Sequence, residues 1–240
     1  MISKVQQIPM EFTHKPFYER QDFLVAKSNL EAVKIIDEWP NWANFAVCIY
    51  GHEGSGKTHL AHIFMENVYK KTNSPYKIPQ IHAKDIKIEN IYRLLEENKC
   101  LVIENLSEDI NEEAIFHLYN LYKNEGGYIL FTSKKPPARM DFKLPDLQSR
   151  LNSIPAVEIK EPDGDLLSAL IIKLFSDRQL NVSPEIVNYI TNNAQRSFAY
   201  IKRLVVEIDS ISISKKRAVS IPIIKEAIIS LGNNQQGLLF

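Results

Sequence analysis

The sequence predicts an α/β fold, a doubly wound parallel sheet, followed by a small all-helical domain. Two observations carry this prediction. Over residues 45–161, short apolar runs alternate with helical patterns, as in parallel sheets that are covered on both faces. After Pro162 the pattern is helical only. The chain has 240 residues, of which 45% are hydrophobic, enough for one large and one small domain.

The elements follow in order along the chain. Ser28 is a candidate N-cap for a first helix at 29–36, which Trp39-Pro40 ends. Strands are predicted at 45–50, weakly at 77–82, and at 101–104, 128–132 and 156–159, with helical patterns such as 58–69 and 111–124 between them. The later helices are predicted at 165–178, 183–192, 197–213 and 220–231, several of them opened by Ser or Asp caps.

Charge and cysteine usage limit the classes of function. Lys+Arg and Asp+Glu are both 29, so the chain lacks the basic excess of a protein that binds DNA by neutralising phosphates, although a local basic patch stays open. Cys48 and Cys100 lie in apolar runs without metal-ligand or disulfide spacing, and we expect both in the core. No apolar segment approaches the roughly 18 residues of a membrane span, and no signal pattern is visible, so a cytoplasmic protein is expected.

Residues 51–58 form the most specific motif. They match G-x-x-x-x-G-K-[ST] and lie directly after a predicted strand and before a helical pattern. Such glycines let backbone N–H groups face phosphates, while Lys57 reaches the terminal phosphates and Thr58 places its hydroxyl on Mg²⁺. The predicted site for ADP or ATP with Mg²⁺ consists of Gly51, His52, Glu53, Gly54, Ser55, Gly56, Lys57, Thr58 and His59. The alternative is a chance glycine-rich turn.

The strand predicted at 101–104 ends in an acid, as expected for the strand that holds the Mg²⁺ shell in P-loop proteins. That acid is Glu104, and Asn105 follows it. An amide cannot accept a proton as a general base. One carboxylate supports one of the two roles, so we expect weak intrinsic hydrolysis. The alternative is a buried strand whose last residue only reaches solvent.

Two further residues are candidates for contact with phosphates. Thr132 ends a predicted strand where P-loop ATPases place a polar sensor, although Thr is also common at ordinary strand ends. Arg150, in the Leu-Gln-Ser-Arg-Leu segment 147–151, ends a short helix before the last strand. It is a candidate catalytic finger for a neighbouring subunit's site, where a fixed guanidinium offsets transition-state charge. A surface ion-paired arginine is the alternative.

The order of these motifs resembles AAA+ ATPases, and more narrowly the DnaA initiator family. Within that family the sequence is most similar to the Hda group of DnaA-homologous regulators, over residues 6–231. The resemblance implies an adenine-side segment at Phe23, Leu24 and Val25, with Asn29 nearby, and a lid residue termed sensor 2 at Arg196, for which simple exposure is the alternative. DnaA proteins continue past the lid into a helix-turn-helix module, so sequence-specific DNA binding is not expected of this chain, which stops at residue 240.

The two ends of the sequence carry short motifs that the resemblance connects with the bacterial sliding clamp. Segment 7–12 resembles the clamp-binding hexapeptide, in which Gln7 would bind a polar subsite and Ile8, Met10 and Phe12 would fill apolar pockets. Segment 236–240 resembles the shorter peptide Q-x-x-L-F, through Gln236, Leu239 and Phe240. Packing of either tail on its own domain is the alternative. The predicted units are a flexible clamp-binding tail 1–15, an AAA+ domain 16–161, a lid 162–231 and a second tail 232–240.

The resemblance implies a nucleotide-bound regulator of replication initiation. Docked on the clamp, it would present Arg150 to the DnaA initiator and promote hydrolysis of DnaA-bound ATP, with ADP as an activating ligand. A helicase loader of the DnaC type is an alternative, but neither a helicase-binding extension nor a basic groove for single strands is visible. An independent P-loop NTPase is another, and the missing second acid argues against it. Action of Arg150 on another copy of this chain, in a homo-oligomer, stays open.

Overall fold

The computed structural model describes residue 20 and residues 23–73, 77–97 and 99–236. Within them a five-stranded sheet has the order β2-β3-β4-β1-β5, and each pairing is parallel. The strands are β1 Ala46–Tyr50, β2 Gln80–His82, β3 Cys100–Leu106, β4 Tyr128–Ser133 and β5 Ala156–Glu158. Because all strands run in one direction, the residues that follow β1, β3 and β4 meet at one edge of the sheet.

Helices cover the sheet and then continue alone. The first group is α1 Leu30–Glu38, α2 Lys57–Thr72, α3 Ile91–Glu97, α4 Glu112–Asn124 and α5 Pro145–Asn152. After β5 come α6 Gly164–Ser176, α7 Pro184–Asn193, α8 Phe198–Lys215 and α9 Ile221–Gln236. Short polar side chains cap several N-termini by accepting a backbone N–H: Asn111 for α4, Asp163 for α6, Ser183 for α7 and Ser197 for α8.

Both faces of the sheet are buried, as the apolar runs predict. Along β1, Ala46 and Cys48 point into the core that α3, α4 and α5 cover, whereas Val47 and Ile49 point into the core under α1 and α2. The predicted doubly wound α/β class is therefore confirmed. Cys48 and Cys100 are buried free thiols, as expected, and burial raises the pKa of each to about 12.

The helices after β5 have a core of their own. Apolar side chains of α6, α7, α8 and α9 form a third cluster, which Leu24 joins from the segment before α1. This confirms the predicted all-helical part of the fold. None of the helices in the described ranges is both long enough and apolar enough to cross a membrane.

Several predicted boundaries are wrong in detail. The N-cap of α1 is Asn29 and not Ser28. The buried Asn29 amide does not cap the helix with its side chain, because it bonds the Ala26 N–H and the Leu24 carbonyl of the preceding turn. Helix α3 was not predicted, since its seven residues are too few to show a helical period. Helix α9 runs to Gln236, so the tail predicted at 232–240 is wrong as far as that residue. Gly232 does not stop it, since a helix tolerates a glycine at a cost of about 1 kcal/mol.

Candidate functional site

The loop between β1 and α2 has the backbone of a phosphate cradle. Gly54 and Gly56 have φ of 73° and 103°, in the left-handed region that glycine adopts most easily. Gly51 is needed for space, since a Cβ there would lie 2.4 Å from the carbonyl oxygen of Ile159. Helix α2 begins at Lys57 without a side-chain cap, so its first N–H groups and the positive end of its dipole are available to an anion.

Lys57 folds back across this loop. Its Nζ donates to the carbonyl oxygens of Gly51 and His52, both at 2.7 Å. Burial lowers the pKa of the Lys57 ammonium, and the charge of Lys134 lowers it further, whereas Glu53 and Glu104 raise it. The cradle thus holds a positive charge that an anion would stabilise.

A cavity of about 980 Å³ opens beside the loop, between the carboxyl edge of the sheet and the helices after β5. This volume is at the upper end of the usual range for small-molecule sites. Predicted residues from Glu53 to His59 line it. So do the segment 105–108 after β3, the lysines after β4, and Leu170, Phe198, Ala199 and Lys202 from the helical part.

The segment predicted to lie on the adenine side is partly in the cavity. Phe23 and Leu24 line it, whereas Val25 does not and is 45% exposed. The Phe23 ring meets the His59 ring edge-on at 5.1 Å between centroids and also lies against Gly56. Asn29 fixes the segment, because its amide nitrogen donates to the Leu24 carbonyl at 2.8 Å.

Glu104 lies in the second half of β3, and its charge is close enough to Lys57 to raise the pKa of that ammonium. Its carboxylate is buried, and Oε1 has no hydrogen-bond partner among the described residues. A buried carboxylate oxygen without a partner is costly, so the geometry fits a cation at this position. Thr58 is exposed at the start of α2 and lines the cavity. Within the described ranges, no group of three or more His, Cys, Asp or Glu could hold a metal by itself.

Asn105 lines the cavity at the position that follows Glu104. Its backbone has φ of 56° at a bulge in β3, and its N–H donates to the Thr132 hydroxyl at 3.2 Å. Its amide nitrogen lies 3.0 Å from Nδ1 of His82. The Thr132 side chain is buried and does not line the cavity, and its sensor role stays a prediction.

Two lysines follow directly after β4. Lys134 and Lys135 both line the cavity. The Ser133 hydroxyl, like that of Thr132, is used inside the protein, where it donates to the Lys135 carbonyl at 2.7 Å. These two lysines were not predicted as site residues. Their position directly after an apolar strand places them at the carboxyl edge of the sheet and could have indicated a contact with the ligand.

The helical part contacts the phosphate loop directly. A Cβ on Gly54 would lie 2.6 Å from the Ser197 hydroxyl and 2.7 Å from the Ala199 Cβ, so α8 begins against the loop. Arg196 is exposed in the connection between α7 and α8 and does not line the cavity. Lys202, one turn into α8, does line the cavity. It was not predicted as a site residue, because two consecutive basic residues are typical of a solvent-facing helix surface.

Arg150 lies outside this cavity. It is exposed in the last turn of α5. The start of α5 is held by the Glu112 carboxylate, which accepts the N–H groups of Lys143 and Leu144 at 3.1 and 2.7 Å. An exposed guanidinium on an anchored helix fits a residue that acts on another molecule.

The predicted clamp-binding residues are not part of this geometry. Gln7, Ile8, Met10, Phe12, Leu239 and Phe240 lie outside the described residues, as does the side chain of Gln236.

Comparison with solved structures supports this fold. Domain III of the Thermotoga maritima replication initiation protein DnaA matches with a TM-score of 0.74 and 19% identity, covering 91% of this chain and 97% of that one. AMPPCP-bound DnaA from Aquifex aeolicus matches with a TM-score of 0.68 and 20% identity, covering 81% and 65%. The sheet, the loop before α2 and the helices after β5 define the class, an α/β P-loop AAA+ ATPase fold with a helical lid.

Sequence comparison gives the family. The model of the bacterial DnaA ATPase domain matches residues 14–156, and the model of the Hda lid domain matches residues 164–228. The chain therefore belongs to the bacterial DnaA ATPase domain family, and the predicted resemblance is confirmed. DnaA of Caldanaerobacter subterraneus subsp. tengcongensis is 23% identical over an alignment that covers 93% of this chain and 54% of that protein. The chain thus spans about half the length of the curated relatives that it matches.

Proposed function

We propose that this chain is a nucleotide-holding regulator of replication initiation, which docks on the sliding clamp and promotes hydrolysis of DnaA-bound ATP. The observation that carries the proposal is the contrast inside one cavity between a complete phosphate cradle and Asn105, an amide, at the position after Glu104. Such a site favours retention of a nucleotide over its turnover.

Binding is assigned to residues that already face the cavity. The loop residues from Glu53 to Thr58, with the Lys57 ammonium, would hold the phosphates of ADP or ATP, and Phe23 and Leu24 would contact the base side. The predicted Gly51 and His52 do not line the cavity, and their carbonyl oxygens accept hydrogen bonds from Lys57. A family relative, DnaA from Aquifex aeolicus, binds the ATP analogue AMPPCP, which supports this assignment. We place the lid contact at Lys202 and not at Arg196, because only Lys202 lines the cavity.

The unpartnered oxygen of Glu104 and the Thr58 hydroxyl would hold Mg²⁺, which supplies positive charge next to the phosphates. With Glu104 used in this way, a second carboxylate would be needed as the general base. Asn105 cannot accept the proton, and its amide nitrogen already lies against His82. Slow intrinsic turnover follows.

Arg150 would act in trans on ATP bound to DnaA. Its exposure, on a helix whose start is anchored by Glu112, supports a guanidinium that is presented outside the chain's own cavity. Docking through Gln7–Phe12 would hold the chain at the clamp, and Gln236, Leu239 and Phe240 would form a second contact. Two linked contacts would raise the affinity by avidity.

The Arg150→Ala variant tests the proposal. We expect loss of stimulated DnaA hydrolysis by about 10³-fold or more, the usual effect of a missing arginine finger, with nucleotide affinity unchanged. Hydrolysis by DnaA is measured with clamp loaded on DNA. Arg203→Ala, which removes an exposed arginine from α8, is the control and should keep full stimulation.

A second variant separates the clamp from the finger. Gln7→Ala should reduce retention by the clamp in a pull-down and leave ADP affinity intact. Loss of nucleotide binding by Arg150→Ala would refute the finger assignment. Full clamp retention by Gln7→Ala would remove the assignment of Gln7 to the contact. A wild-type chain that the clamp does not retain would remove the clamp assignment and favour the helicase-loader alternative, for which binding to the replicative helicase is the positive result.

A further inference from the structure

Two consecutive lysines, Lys134 and Lys135, enter the cavity from the end of β4, but they are held very differently. Lys135 Nζ lies 2.5 Å from Glu108 Oε1, and the two side chains are 47% and 37% exposed. This hydrogen bond lowers the pKa of Glu108. Lys135 is therefore committed to a short, partly shielded ion pair.

Lys134 makes a looser pair. Its Nζ lies 3.5 Å from Oε2 of Glu53, and the two side chains are 73% and 88% exposed. Exposed pairs of this kind contribute at most about 1 kcal/mol. Lys134 can therefore leave Glu53 at little cost.

The partner of Lys134 is itself part of the phosphate loop. Glu53 lies between Gly51 and Lys57, and both Glu53 and Lys134 line the cavity. The Lys134 charge is also close enough to lower the pKa of the Lys57 ammonium. Two neighbouring ammonium groups repel each other, and Glu53 offsets this repulsion at rest. An anion with more than one charge would offset it better.

We propose that Lys134 exchanges Glu53 for the terminal phosphate of a bound nucleoside triphosphate, so that this pair sets the preference between tri- and diphosphates. The inference rests on the proposed nucleotide binding and adds a means of distinguishing triphosphates from diphosphates. A diphosphate leaves the Lys134–Glu53 pair in place. A triphosphate breaks the pair and gains a charged contact.

The test is titration calorimetry of the full chain with Mg²⁺, using ADP and AMPPCP. Lys134→Gln should weaken the binding of AMPPCP about tenfold, which is the effect of one charged hydrogen bond, and the binding of ADP by less than about twofold. Lys134→Arg keeps the charge and should retain the wild-type ratio of the two affinities. Lys70→Gln is the control, since it removes a charge from another exposed lysine–glutamate pair that does not line the cavity, and it should leave that ratio within about twofold.

Removal of the Glu53 carboxylate should have the opposite effect on AMPPCP affinity. Glu53→Gln should tighten AMPPCP by about threefold, because the exposed competitor is gone, and should have no such effect in the Lys134→Gln background. Equal weakening of both nucleotides by Lys134→Gln, or no change, would overturn the inference while nucleotide binding stands. If the wild-type chain binds neither nucleotide, the inference and the proposed function fail together.

Discussion

The two sides of the cavity differ in how closely they follow the pattern of a hydrolysing P-loop protein. On one side, the loop from Gly51 to Thr58 has the required residues, with Gly54 and Gly56 in left-handed conformations and an uncapped helix behind them. On the other side, the ends of β3 and β4 present Asn105 and Lys134 where a second acid and a neutral sensor are expected. Under the proposed function, this difference separates binding from turnover, and the chain would keep the first.

The largest expected effect is on the binding side. Lys57→Ala should weaken the binding of ADP about 100-fold, since it removes the buried ammonium of the 51–58 loop. Titration calorimetry measures the affinity. Lys70→Ala, which removes an exposed lysine near the end of the same helix and its pair with Glu66, is the control and should bind as wild type. If Lys57→Ala still binds ADP normally, the two sides of the cavity do not differ as described.

The next effect is on the turnover side. Asn105→Asp should raise ATP turnover at least about tenfold, because general-base catalysis contributes on the order of 10² or more. Aspartate also tolerates the positive φ of this position better than glutamate does. The measurement is phosphate release under single-turnover conditions. Unchanged turnover with intact ATP binding would show that the missing acid is not what limits hydrolysis.

The smallest effect concerns the contact between the loop and the lid. Gly54→Ala adds both backbone strain, at φ 73°, and a clash with Ser197 and Ala199 of the lid. Gly126→Ala adds comparable strain, at φ 67°, but a Cβ there meets nothing within 4 Å. We expect losses of unfolding free energy of about 1 kcal/mol for Gly126→Ala and about 2–3 kcal/mol for Gly54→Ala, by denaturant titration. Equal losses would mean that the lid does not rest on the loop.

The sequence was sufficient for the fold because its signals are local and redundant. Continuous apolar runs gave β1, β3 and β4, and Ser183 and Ser197 marked the starts of lid helices. It was insufficient where the signal is short or buried in polar sequence. Helix α3 and the end of α9 are examples.

The site shows the same limit. The spacing of glycine and lysine predicted the loop at 51–58, because the motif alone fixes its chemistry. Which residue of a polar run faces a cavity depends on tertiary packing. The buried Thr132 hydroxyl accepts the Asn105 N–H, whereas Lys134, two residues further on, lines the cavity. Likewise a helix boundary between Asn193 and Phe198 leaves Arg196 outside and brings Lys202 in.

One measurement tests the separation of binding and turnover most directly. The wild-type chain, loaded with equimolar radiolabelled ATP and Mg²⁺, is followed for bound nucleotide and released phosphate in a single turnover. We expect stoichiometric binding through the 51–58 loop with turnover at or below about 10⁻² s⁻¹, the range of switch proteins without an activating partner. Absence of bound nucleotide, or turnover much faster than that, would contradict the account.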